Sequence, residues 1–410
     1  MNALEGHPTF GDTGKRGRTY NLSTMAGLDY RTAGESHGQA LIVLVEGLPA
    51  GLTLDEDAIN EALRRRQGGY GRGGRMKIEQ DRINILSGIR AGITIGSPLA
   101  LQLNNKDWRI DTAPAVNRPR PGHADYAGSM KWLTTDCRTT LERASARETA
   151  ARVTAGAVAA CLLAEFEIDV VGYVVRIGPV EAVVPHDLPI GQLRDGRDGN
   201  EAYCPDSQAA AKMIEAIRQA KTDKDTLGGV VEVRATGLPP GVGSSVRWQD
   251  KLDGRLLGAV GSIQAFKGVE IGLGFGCGER RGSQVHDEID YDAAQRHTAN
   301  LGFQRRTNNA GGLEGGMTNG MPIIVRGVMK PISTLLKGLD SVNLQTLKPE
   351  RSDYERSDIC AVPAASVVAE SVVAFEIARA FMEKFGGDTL EETRASYSFY
   401  LDRARALTSS

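Results

Sequence analysis

Two histidines lie in short glycine-containing segments that would leave their imidazole rings accessible. His37 belongs to Gly-Glu-Ser-His-Gly (34–38), and His123 belongs to Arg-Pro-Gly-His-Ala-Asp (120–125). Because imidazole titrates near neutral pH, such residues can donate and accept protons during catalysis. A structural role is the alternative for either histidine. The histidines at positions 7, 186, 286 and 297 lack such surroundings, and we interpret them as structural.

The densest positive charge lies between residues 64 and 75, where five arginines occur among 12 residues that also include a glycine-rich loop. Arginine binds phosphate and carboxylate with two parallel hydrogen bonds, and a glycine-rich loop lets backbone N–H groups approach the same anion. The spacing leaves three interpretations open. They are an anion site, a solvated basic surface, and an RNA-binding segment in which arginine, glycine and tyrosine alternate.

A second pair of arginines, Arg143 and Arg147, flanks Ser145, where the pattern S-x-x-E predicts the start of a helix. Residues four apart share one face of a helix, and a helix N-terminus attracts anions. The pair therefore predicts a second anion site. An equally good interpretation is that the two arginines lie on the surface and form salt bridges with Glu142 and Glu148.

Three later segments have the composition of a binding site for a planar ligand. Residues 307–320 are polar and rich in glycine, and residues 330–334 (Lys-Pro-Ile-Ser-Thr) could hold a ring or a phosphate. Asp358 follows Arg356 just before the last long helix, where it could act as a base or form a helix-flanking salt bridge. The residues alone therefore predict an enzyme that acts on a multiply anionic small molecule, with a planar cofactor. They do not predict the reaction.

The overall charge argues against two classes of partner. Lysine and arginine number 49 and acidic residues 51, which gives a net charge of −2 at pH 7. No global field favours nucleic acid or an anionic membrane, and we expect neither as a partner. Any bound anion must be held by a local concentration of cations.

Cysteine usage and hydropathy indicate the compartment. The five cysteines are scattered and form no Cys-x-x-C pair, which argues against disulfides and a zinc site and fits a reducing compartment. No apolar run approaches the roughly 20 residues that cross a bilayer. The polar N-terminus lacks the apolar segment of a secretory signal. We expect a cytoplasmic protein without a metal ion, whose functional start lies closer to Met25.

A strand–turn–helix pattern occurs twice. Residues 39–46 predict a buried strand, followed by Gly-Leu-Pro-Ala-Gly and by a helix whose T-x-x-E start lies at Thr53. Residues 229–235 predict a second strand, followed by Gly-Leu-Pro-Pro-Gly and a helix over 250–266. The repetition predicts an internal duplication in a pseudo-symmetric body. Chance recurrence of five residues is the alternative.

Three further helices are predicted. One begins at Ser145, one covers residues 206–220, and one covers residues 365–384 and ends at Gly386, since glycine commonly terminates helices.

No break in composition divides the chain. Residues 110–119 and 179–203 predict poorly ordered surface segments. The prediction is therefore a mixed α/β (α+β) fold with one domain over residues 27–400, a flexible N-terminal extension over 1–26 and a C-terminal tail over 401–410.

Eight motifs, in order and at similar spacing, resemble those of the chorismate synthase family. They are G-E-S-H-G (34–38), R-R-R-Q-G-G-Y-G-R-G (64–73), R-P-G-H-A-D (120–125), E-R-A-S-A-R-E-T-A-A-R (142–152), S-I-Q-A-x-K-G-V-E-I-G (262–272), A-G-G-L-E-G-G-M-T-N-G (310–320), K-P-I-S-T (330–334) and R-S-D-x-C-A-V-P (356–363). The similarity covers about residues 27–395. The N-terminal extension matches nothing in the family pattern.

The resemblance implies a reaction and an architecture. Members of the family convert 5-enolpyruvylshikimate 3-phosphate to chorismate by 1,4-elimination of phosphate and a ring hydrogen, the last common step of the shikimate pathway. They need reduced FMN although the reaction has no net redox change, and some take electrons from NADPH. The chain would thus be a carbon–oxygen lyase with a β-α-β sandwich fold and a homotetrameric assembly.

The resemblance also assigns roles to residues. The catalytic residues would be His37 beside the reduced flavin, His123 beside the flavin and the departing phosphate, and Asp358, which would help remove the ring proton through the flavin N5. The residues that would bind the substrate are Ser36, Arg66, Arg72, Arg75, Arg120 and Arg147, of which Arg66 and Arg72 would also contact NADPH. The residues that would hold the flavin are Arg143, Ala144, Ser145, Gln264, Ala265, Gly315, Lys330, Pro331, Ile332, Ser333, Thr334 and Arg356.

Two rival functions follow from the same residues. One is a flavin reductase that acts on nicotinamide nucleotides, which the sequence does not separate from the first function. The other is an RNA-binding protein that uses residues 64–75, against which the balanced charge argues.

Overall fold

Two antiparallel sheets carry the fold. The structure, a computed structural model, describes residues 27–73, 80–353 and 357–407. The strands of the first half are β1 (Asp29–Ala33), β2 (Ala40–Glu46), β3 (Asn84–Ser87), β4 (Ile89–Arg90), β5 (Ile93–Thr94) and β6 (Leu99–Asn104). The strands of the second half are β7 (Asp169–Ile177), β8 (Val180–Glu181), β9 (Gly229–Thr236), β10 (Phe266–Ile271), β11 (Ile289–Tyr291), β12 (Phe303–Arg305), β13 (Leu313–Glu314), β14 (Met317–Thr318), β15 (Ile323–Met329), β16 (Asp340–Val342) and β17 (Pro349–Arg351).

Helices pack between and around these sheets. They are α1 (Glu56–Gln67), α2 (Asp125–Trp132), α3 (Arg138–Ala144), α4 (Thr149–Ala164), α5 (Ile190–Asp198), α6 (Ser207–Thr222), α7 (Leu252–Gly261), α8 (Val362–Phe385) and α9 (Leu390–Leu407). Helices α4 and α8 pack on each other; α4 also contacts β2, and α8 contacts β7 and β9. The order sheet, helices, sheet confirms the predicted mixed α/β class and its sandwich architecture.

Alternation of side chains explains why each sheet has an inner face. In β2, Leu41, Val43 and Val45 are buried, and in β9, Val231 and Val233 are buried. Successive residues of a strand point to opposite faces, so these apolar residues all face the helical layer. The inner faces of both sheets thus join one apolar core.

Helices α4 and α8 approach closely at Gly156. A Cβ atom at this position would lie 2.2 Å from the backbone oxygen of Ser371. Only glycine permits this contact.

Strand order reveals the internal duplication. The first sheet has the order β1-β2-β6-β3, and the second has the order β10-β15-β9-β7-β8. Starting from β7, four neighbouring strands of the second sheet have the order β7-β9-β15-β10. In both sheets, the first, second, fourth and third strands along the chain follow one another in space. Each strand of the first sheet therefore has a counterpart in the second. A long helix follows in each half, α4 in the first and α8 in the second.

The two Gly-Leu-Pro-x-Gly turns share their backbone conformation. Gly47 and Gly51 have φ of 78° and 93°, and Gly237 and Gly241 have φ of 87° and 85°. Glycine adopts these left-handed values without steric cost.

A threonine from the following hairpin binds each turn in the same way. Thr94 of β5 donates to the carbonyl of Pro49 at 2.6 Å and accepts from the N–H of Leu52 at 2.9 Å. Thr318 of β14 donates to the carbonyl of Pro239 at 2.6 Å and accepts at 2.9 Å from the N–H of the residue three positions after Pro239. Matched strand order, turns and threonines support a true duplication over chance recurrence.

The helix predicted from Thr53 begins later. Thr53 forms a β-bridge with Ile93, so the chain is still extended there. Asp55 is the N-cap of α1, and its carboxylate accepts from the N–H of Ala58 at 2.9 Å. The T-x-x-E prediction was wrong because pairing with the hairpin prevailed over the local capping pattern.

The helix predicted over 250–266 is shorter. Residues Trp248–Asp250 form a 3-10 turn, and α7 covers only Leu252–Gly261. The chain then turns at Ala265, whose φ is 70°, and enters β10. Pairing of β10 with β15 accounts for the extended conformation.

The helix predicted at Ser145 is divided. Helix α3 ends at Ala144, and Ser145 caps a 3-10 turn, Ala146–Glu148, by accepting from the N–H of Arg147 at 3.2 Å. Helix α4 starts only at Thr149. Arg143 is exposed and Arg147 is buried, so the prediction that they share one face was wrong.

The other two helices are confirmed. Helix α6 starts after Asp206, whose carboxylate caps it through the N–H groups of Gln208 and Ala209. Helix α8 ends at Phe385, and Gly386 caps it, as predicted.

Neither segment predicted as poorly ordered is so. Residues 179–203 contain β8 and α5, with Leu193 fully buried and Arg197 only 3% exposed. In residues 110–119, Val116 packs against Cys137 and Leu141. The polar composition of these segments led to a wrong prediction, because a few apolar and cationic side chains are enough to fix them to the rest of the protein. Helix α9 continues to Leu407, past the position of 400 at which we placed the end of the domain.

All five cysteines are free, in agreement with the predicted absence of disulfides. Among the residues that the structure describes, no helix combines the length and the apolar character needed to cross a membrane.

Candidate active site

Two equivalent connections of the duplicated fold meet at one place. The first runs from β6 to α4 (105–148), and the second runs from β15 to α8 (330–361). Arg120 donates through Nη1 to Oγ1 of Thr334 at 3.2 Å, and Lys330 donates through Nζ to the carbonyl of Gly122 at 2.6 Å. The predicted motifs around His123 and over residues 330–334 are therefore brought together.

His123 belongs to a buried ionic unit. Its Nδ1 lies against Oδ1 of Asp125, which is fully buried. Asp125 also accepts from the Nε and Nη2 atoms of Arg120 at 2.8 and 3.0 Å. Burial opposes ionisation of Asp125, but the hydrogen bonds from His123 and Arg120 outweigh it and hold its pKa well below the usual range. The unit presents an imidazole and a guanidinium side by side.

His37 is held in a similar way. Its Nδ1 lies 3.0 Å from both carboxylate oxygens of Glu142, and its backbone N–H donates to the same carboxylate at 2.9 Å. Arg138 donates to Glu142 from the other side at 3.4 Å. On the opposite edge of the ring, Nε2 lies 3.7 Å from Oδ2 of Asp107. Burial raises the pKa of Glu142, but His37 more than reverses this and the pKa is lowered.

The segment around His37 is fixed to the start of α4. Ser145 donates through Oγ to Oγ of Ser36 at 3.1 Å. Asn105 donates to the carbonyls of Glu35 and Gly38 at 3.1 and 2.8 Å. Ser36 and Ser145, both predicted site residues, are therefore neighbours.

Two buried arginines share one carboxylate beside this segment. Arg147 donates through Nη1 to both oxygens of Asp81 at 2.6 and 2.7 Å, and Arg66 reaches Asp81 at 3.4 Å. Arg66 also donates to Oγ1 of Thr149 at 2.9 Å, and Arg147 donates to Oδ1 of Asn105 at 2.8 Å. We call Arg66, Asp81 and Arg147 the Asp81 cluster. It contains two cations and one anion.

The cluster has unused capacity to bind an anion. Burial lowers the pKa of Arg66 to about 9, an effect that Asp81 only partly offsets and that Arg147 reinforces. The Nη2 atom of Arg147 is buried and has no hydrogen-bond partner among the described residues. A buried donor without a partner is costly unless a ligand supplies one.

Arg72 and Asp358 pair next to this cluster. Arg72 donates through Nη1 to Oδ2 of Asp358 at 2.7 Å, and the N–H of Gly73 donates to Oδ1 at 2.6 Å. The charges of both side chains act on Arg66. The candidate base is thus held by two donors, and its carboxylate is one-fifth exposed.

The arginines of residues 64–75 do not form one basic surface. Arg64 is exposed and pairs with Glu61, whereas Arg65 turns inward to Glu370 at 2.6 Å. Arg66 turns to the Asp81 cluster. This divergence argues against the RNA-binding interpretation. Arg75 lies outside the described residues, as does Arg356.

The residues predicted to hold a flavin meet near the start of α4. Arg143 donates to the carbonyls of Gly34 and Thr32, both at 2.9 Å, and Gln264 donates through Nε2 to Glu148 at 3.0 Å. The backbone oxygen of Ala265 accepts from the N–H of Lys330 at 2.9 Å. The chain thereby joins segments 143–145, 264–265 and 330–334.

The donor set of this region fits a flavin. Because the carboxylate of Glu148 only accepts, its bond to Nε2 fixes the Gln264 amide, and the buried Oε1 finds no hydrogen-bond donor among the described residues. An N–H of a flavin ring would supply one. Burial lowers the pKa of Lys330, so this ammonium gains from an anionic neighbour.

Gly315 lies at the tip of the β13–β14 hairpin, before β15. A Cβ atom at this position would meet nothing within 4 Å among the described residues, so the backbone is open there. The role of Gly315 in binding the flavin stays a prediction.

Several residues of the site were missed in the sequence. Asp125 and Glu142 lie within two of the family motifs, but their neighbours in the sequence do not distinguish them from surface carboxylates. Glu142 was interpreted as a surface partner of an arginine, yet it is 2% exposed and binds His37. Asp81 and Asn105 carry no motif signal, because their partners lie 66 and 42 residues along the chain.

The arrangement defines a class of protein. Two imidazoles on buried carboxylates can transfer protons. A cluster of buried arginines, in which one donor of Arg147 has no partner among the described residues, can bind a multiply anionic molecule. Within the described residues, no group of three or more histidine, cysteine or acidic side chains could hold a metal ion. The fold and site fit an enzyme class that works by proton transfer and charge stabilisation on a small anionic substrate.

Comparison with known proteins identifies the family. Residues 28–382 match the family model described as chorismate synthase. The chorismate synthase of Desulforudis audaxviator (strain MP104C) is 54% identical over 391 residues, covering 92% of this chain and 98% of the relative. That of Symbiobacterium thermophilum (strain DSM 24528 / JCM 14929 / IAM 14863 / T) is 55% identical, covering 91% and 98%. A crystal structure of chorismate synthase matches with a TM-score of 0.76 and 40% identity, covering 93% of this chain and all of the other.

The chain belongs to the chorismate synthase family. It is therefore an enzyme of the lyase class that acts on a small-molecule substrate, and its family generally uses reduced flavin.

Proposed function

We propose that the chain converts 5-enolpyruvylshikimate 3-phosphate to chorismate with reduced FMN. One observation carries the proposal: the chain combines two histidine–carboxylate units with a buried cluster in which two arginines share a single carboxylate. A substrate with one phosphate and two carboxylates supplies the negative charge that this cluster lacks.

Arg66, Arg72, Arg120 and Arg147 bind the substrate's anionic groups. The Nη2 donor of Arg147, which has no partner in the part of the chain that the structure describes, supports a direct contact with one of them. Arg120 lies against His123, so a phosphate bound by this guanidinium is also within reach of the imidazole. Charge-assisted bonds of this kind are the strong ones in a buried site.

Elimination breaks the carbon–oxygen bond to phosphate, and the bonding electrons leave with that oxygen. His123 gives a proton to the departing phosphate, and Arg120 stabilises its remaining charge. The carboxylate of Asp358 helps to remove the ring proton, and the electron pair of the broken C–H bond becomes the second ring double bond. Because this pair replaces the one that leaves with phosphate, the reaction has no net redox change.

Residues 143–145, 264–265 and 330–334 would hold the flavin, with Gln264 and Lys330 as the polar contacts. When bound, reduced FMN supplies an electron-rich ring next to the substrate. The imidazole of His37, whose Nδ1 contacts Glu142, would hold a proton at the edge of the flavin region. Ser36 and Ser145 fix the backbone that carries it.

The assay that tests the proposal is anaerobic. Purified protein is mixed with chemically reduced FMN and 5-enolpyruvylshikimate 3-phosphate, and chorismate is followed in the near ultraviolet. We expect chorismate only when reduced flavin is present. A folded, flavin-binding protein that forms none would overturn the proposal.

A second arm replaces reduced FMN by NADPH with oxidised FMN and tests the reductase function. Arg66 is 3% exposed and engaged with Asp81 and Thr149, which supports a role in the substrate site over one at a nucleotide site. We therefore expect no NADPH consumption without an added reductase. Consumption at the rate of turnover would give the chain its own flavin reductase activity.

We also propose a homotetramer located in the cytoplasm. Leu86, Ile93 and Ile95 are exposed apolar residues on neighbouring strands and loops of the first half, where a second copy could cover them. Five free cysteines suit a reducing compartment. Sedimentation at micromolar concentration tests the assembly, and a monomer would contradict it.

A further inference from the structure

We propose that Asp125 is a positioning residue, whose buried carboxylate joins His123 and Arg120 into one unit that reaches the departing phosphate together. The proposal rests on the proposed function and adds a residue to it. Asp125 does not touch the substrate; it acts through its two partners.

The hydrogen bonds of Asp125 leave little freedom to either partner. Oδ2 accepts from the backbone N–H of Arg120 at 3.0 Å and from its Nε at 2.8 Å. Oδ1 accepts from Nη2 of Arg120 at 3.0 Å and contacts Nδ1 of His123. One carboxylate thus fixes the guanidinium plane and the imidazole edge, and it does so from a position with no exposed surface.

The contact selects the histidine tautomer. A carboxylate accepts a hydrogen bond, so Nδ1 of His123 carries a hydrogen in the neutral ring and in the imidazolium alike. Proton exchange with a ligand is left to Nε2, which gives a proton from the imidazolium and lies 3.3 Å from Nη2 of Arg120. The His123 side chain is 21% exposed whereas that of Asp125 is not exposed at all. The imidazole can therefore meet a ligand that Asp125 cannot reach.

Arg120 carries a further anchor. Its Nη1 donates to Thr334 of the second connection at 3.2 Å, so the unit is braced from both halves of the fold. Rotation of Arg120 would break bonds on three sides. Because a misplacement of about 1 Å can cost a hundredfold in rate, such bracing is a requirement of the site.

The same arrangement occurs at the second histidine. Glu142 is 2% exposed, lies 3.0 Å from Nδ1 of His37, and accepts from Arg138 at 3.4 Å. Each candidate catalytic imidazole thus has Nδ1 on a buried carboxylate that also binds an arginine. Two independent occurrences argue against an incidental salt bridge.

A double-mutant cycle tests the proposal. Asp125→Asn keeps the shape of the side chain but replaces one acceptor oxygen with a donor that opposes Arg120 and His123. We expect Asp125→Asn to lower kcat by about 10- to 100-fold with little change in the KM for substrate or in flavin affinity. In a His123→Ala background the same change should cost clearly less than in the unaltered chain, since only the part of its effect that passes through Arg120 remains. Losses that multiply would overturn the proposal.

Asp136→Asn is the matched control. Asp136 lies on the same connection and accepts from the N–H groups of Val116 and Arg138, both at 2.9 Å, without contacting His123 or Arg120. We expect its kcat to match the unaltered chain. A loss as large as that of Asp125→Asn would mean that any disturbance of this connection lowers the rate, and the positioning role would fail.

A second readout does not depend on turnover. Nitrogen-15 spectra of protein labelled at histidine should show His123 as the Nδ1–H tautomer, and Asp125→Asn should mix the tautomers. Identical tautomer populations would overturn the positioning role, whereas absence of chorismate from the unaltered chain would overturn only the proposed function. If Asp125→Asn does not fold, Asp125→Glu retains the charge one methylene away, and it should fold with a smaller loss of kcat; unaltered kcat would contradict the proposal.

Discussion

Two consecutive arginines of α1 enter buried ionic clusters that differ in charge balance. Arg65 donates to Glu370 at 2.6 Å, and Glu370 also accepts from Arg197 at 2.7 Å. Arg197 pairs in turn with Asp198 at 2.8 and 3.0 Å. In this Glu370 cluster the two cations meet two carboxylates, that of Glu370, which is 14% exposed, and that of Asp198, which is 46% exposed. The bonds join α1, α5 and α8.

The neighbouring Asp81 cluster is not balanced. Arg66 and Arg147 share the single carboxylate of Asp81. The pKa values of the two consecutive arginines accordingly move in opposite directions. Although burial alone would lower it, Glu370 raises the pKa of Arg65, whereas burial lowers the pKa of Arg66 to about 9.

The difference teaches how to separate a structural cluster from a binding one. A buried cation costs free energy unless a counter-charge meets it, so a balanced cluster is complete without a ligand. A cluster that lacks one anion is most stable when a ligand brings that anion. Whether the carboxylates bonded to a pair of buried arginines balance their charge is therefore our criterion for a binding cluster, although both clusters look alike in sequence.

The largest expected effect separates the two arginines directly. Arg66→Met should lower kcat/KM by about 10³-fold, which corresponds to roughly 4 kcal/mol, because it removes a buried charge that we propose to contact the substrate. Arg65→Met should leave kcat/KM near normal but lower the free energy of unfolding by about 3 kcal/mol, because it leaves Glu370 underpaired. Steady-state kinetics and urea unfolding measure both. Equal losses of activity would mean that the comparison does not separate the clusters.

Removing the carboxylates sharpens the comparison. Asp81→Asn leaves two buried guanidinium groups without an anion and should lower the free energy of unfolding by about 3 kcal/mol. Inorganic phosphate at about 100 times its Kd should restore up to about 2.7 kcal/mol by binding there. Glu370→Gln should be destabilised similarly but gain no more from phosphate than the unaltered chain does. Rescue of both variants would show that phosphate binds elsewhere.

Local patterns in the sequence predicted the elements whose causes are local. Asp206 caps α6 and Gly386 ends α8 as predicted, since each bond spans a few residues. The two glycine-proline turns predicted the duplication, because their conformation depends on their own glycines. Thr53 failed as a cap, because a distant hairpin determines its conformation.

The site was predictable only in part for the same reason. His37 and His123 were recognisable from the family motifs. The glycine-rich surroundings predicted that both rings are accessible, which was wrong for His37, because its residue is only 6% exposed. The sequence around Arg65 and Arg66 does not show which of them faces the site, because their partners are distant. Glu370 lies 305 residues from Arg65, and Asp81 lies 15 residues from Arg66, across a loop. The carboxylates that set charge balance became visible only in the fold.

The duplicated threonines offer a smaller effect that tests the scaffold apart from the chemistry. Thr94→Val and Thr318→Val each leave a buried carbonyl and a buried N–H without a partner in equivalent turns. Each should lower the free energy of unfolding by about 2 kcal/mol, by similar amounts, with kcat unchanged. Urea unfolding of the pair checks this. A much larger loss at one threonine would show that the two halves are not equally important for stability.

The smallest expected effect concerns Arg72, a cation beside the Asp81 cluster. Its Nη1 donates to Asp358 at 2.7 Å, and a lysine can keep a charge there but not the planar fork. Arg72→Lys should raise the KM for substrate about tenfold, or about 1.4 kcal/mol, with kcat nearly unchanged. Arg64→Lys, on an exposed arginine paired with Glu61, is the control and should change neither. A fall in kcat without a change in KM would mean that Arg72 acts by holding Asp358, and the cations that bind substrate would then be confined to the buried cluster and Arg120.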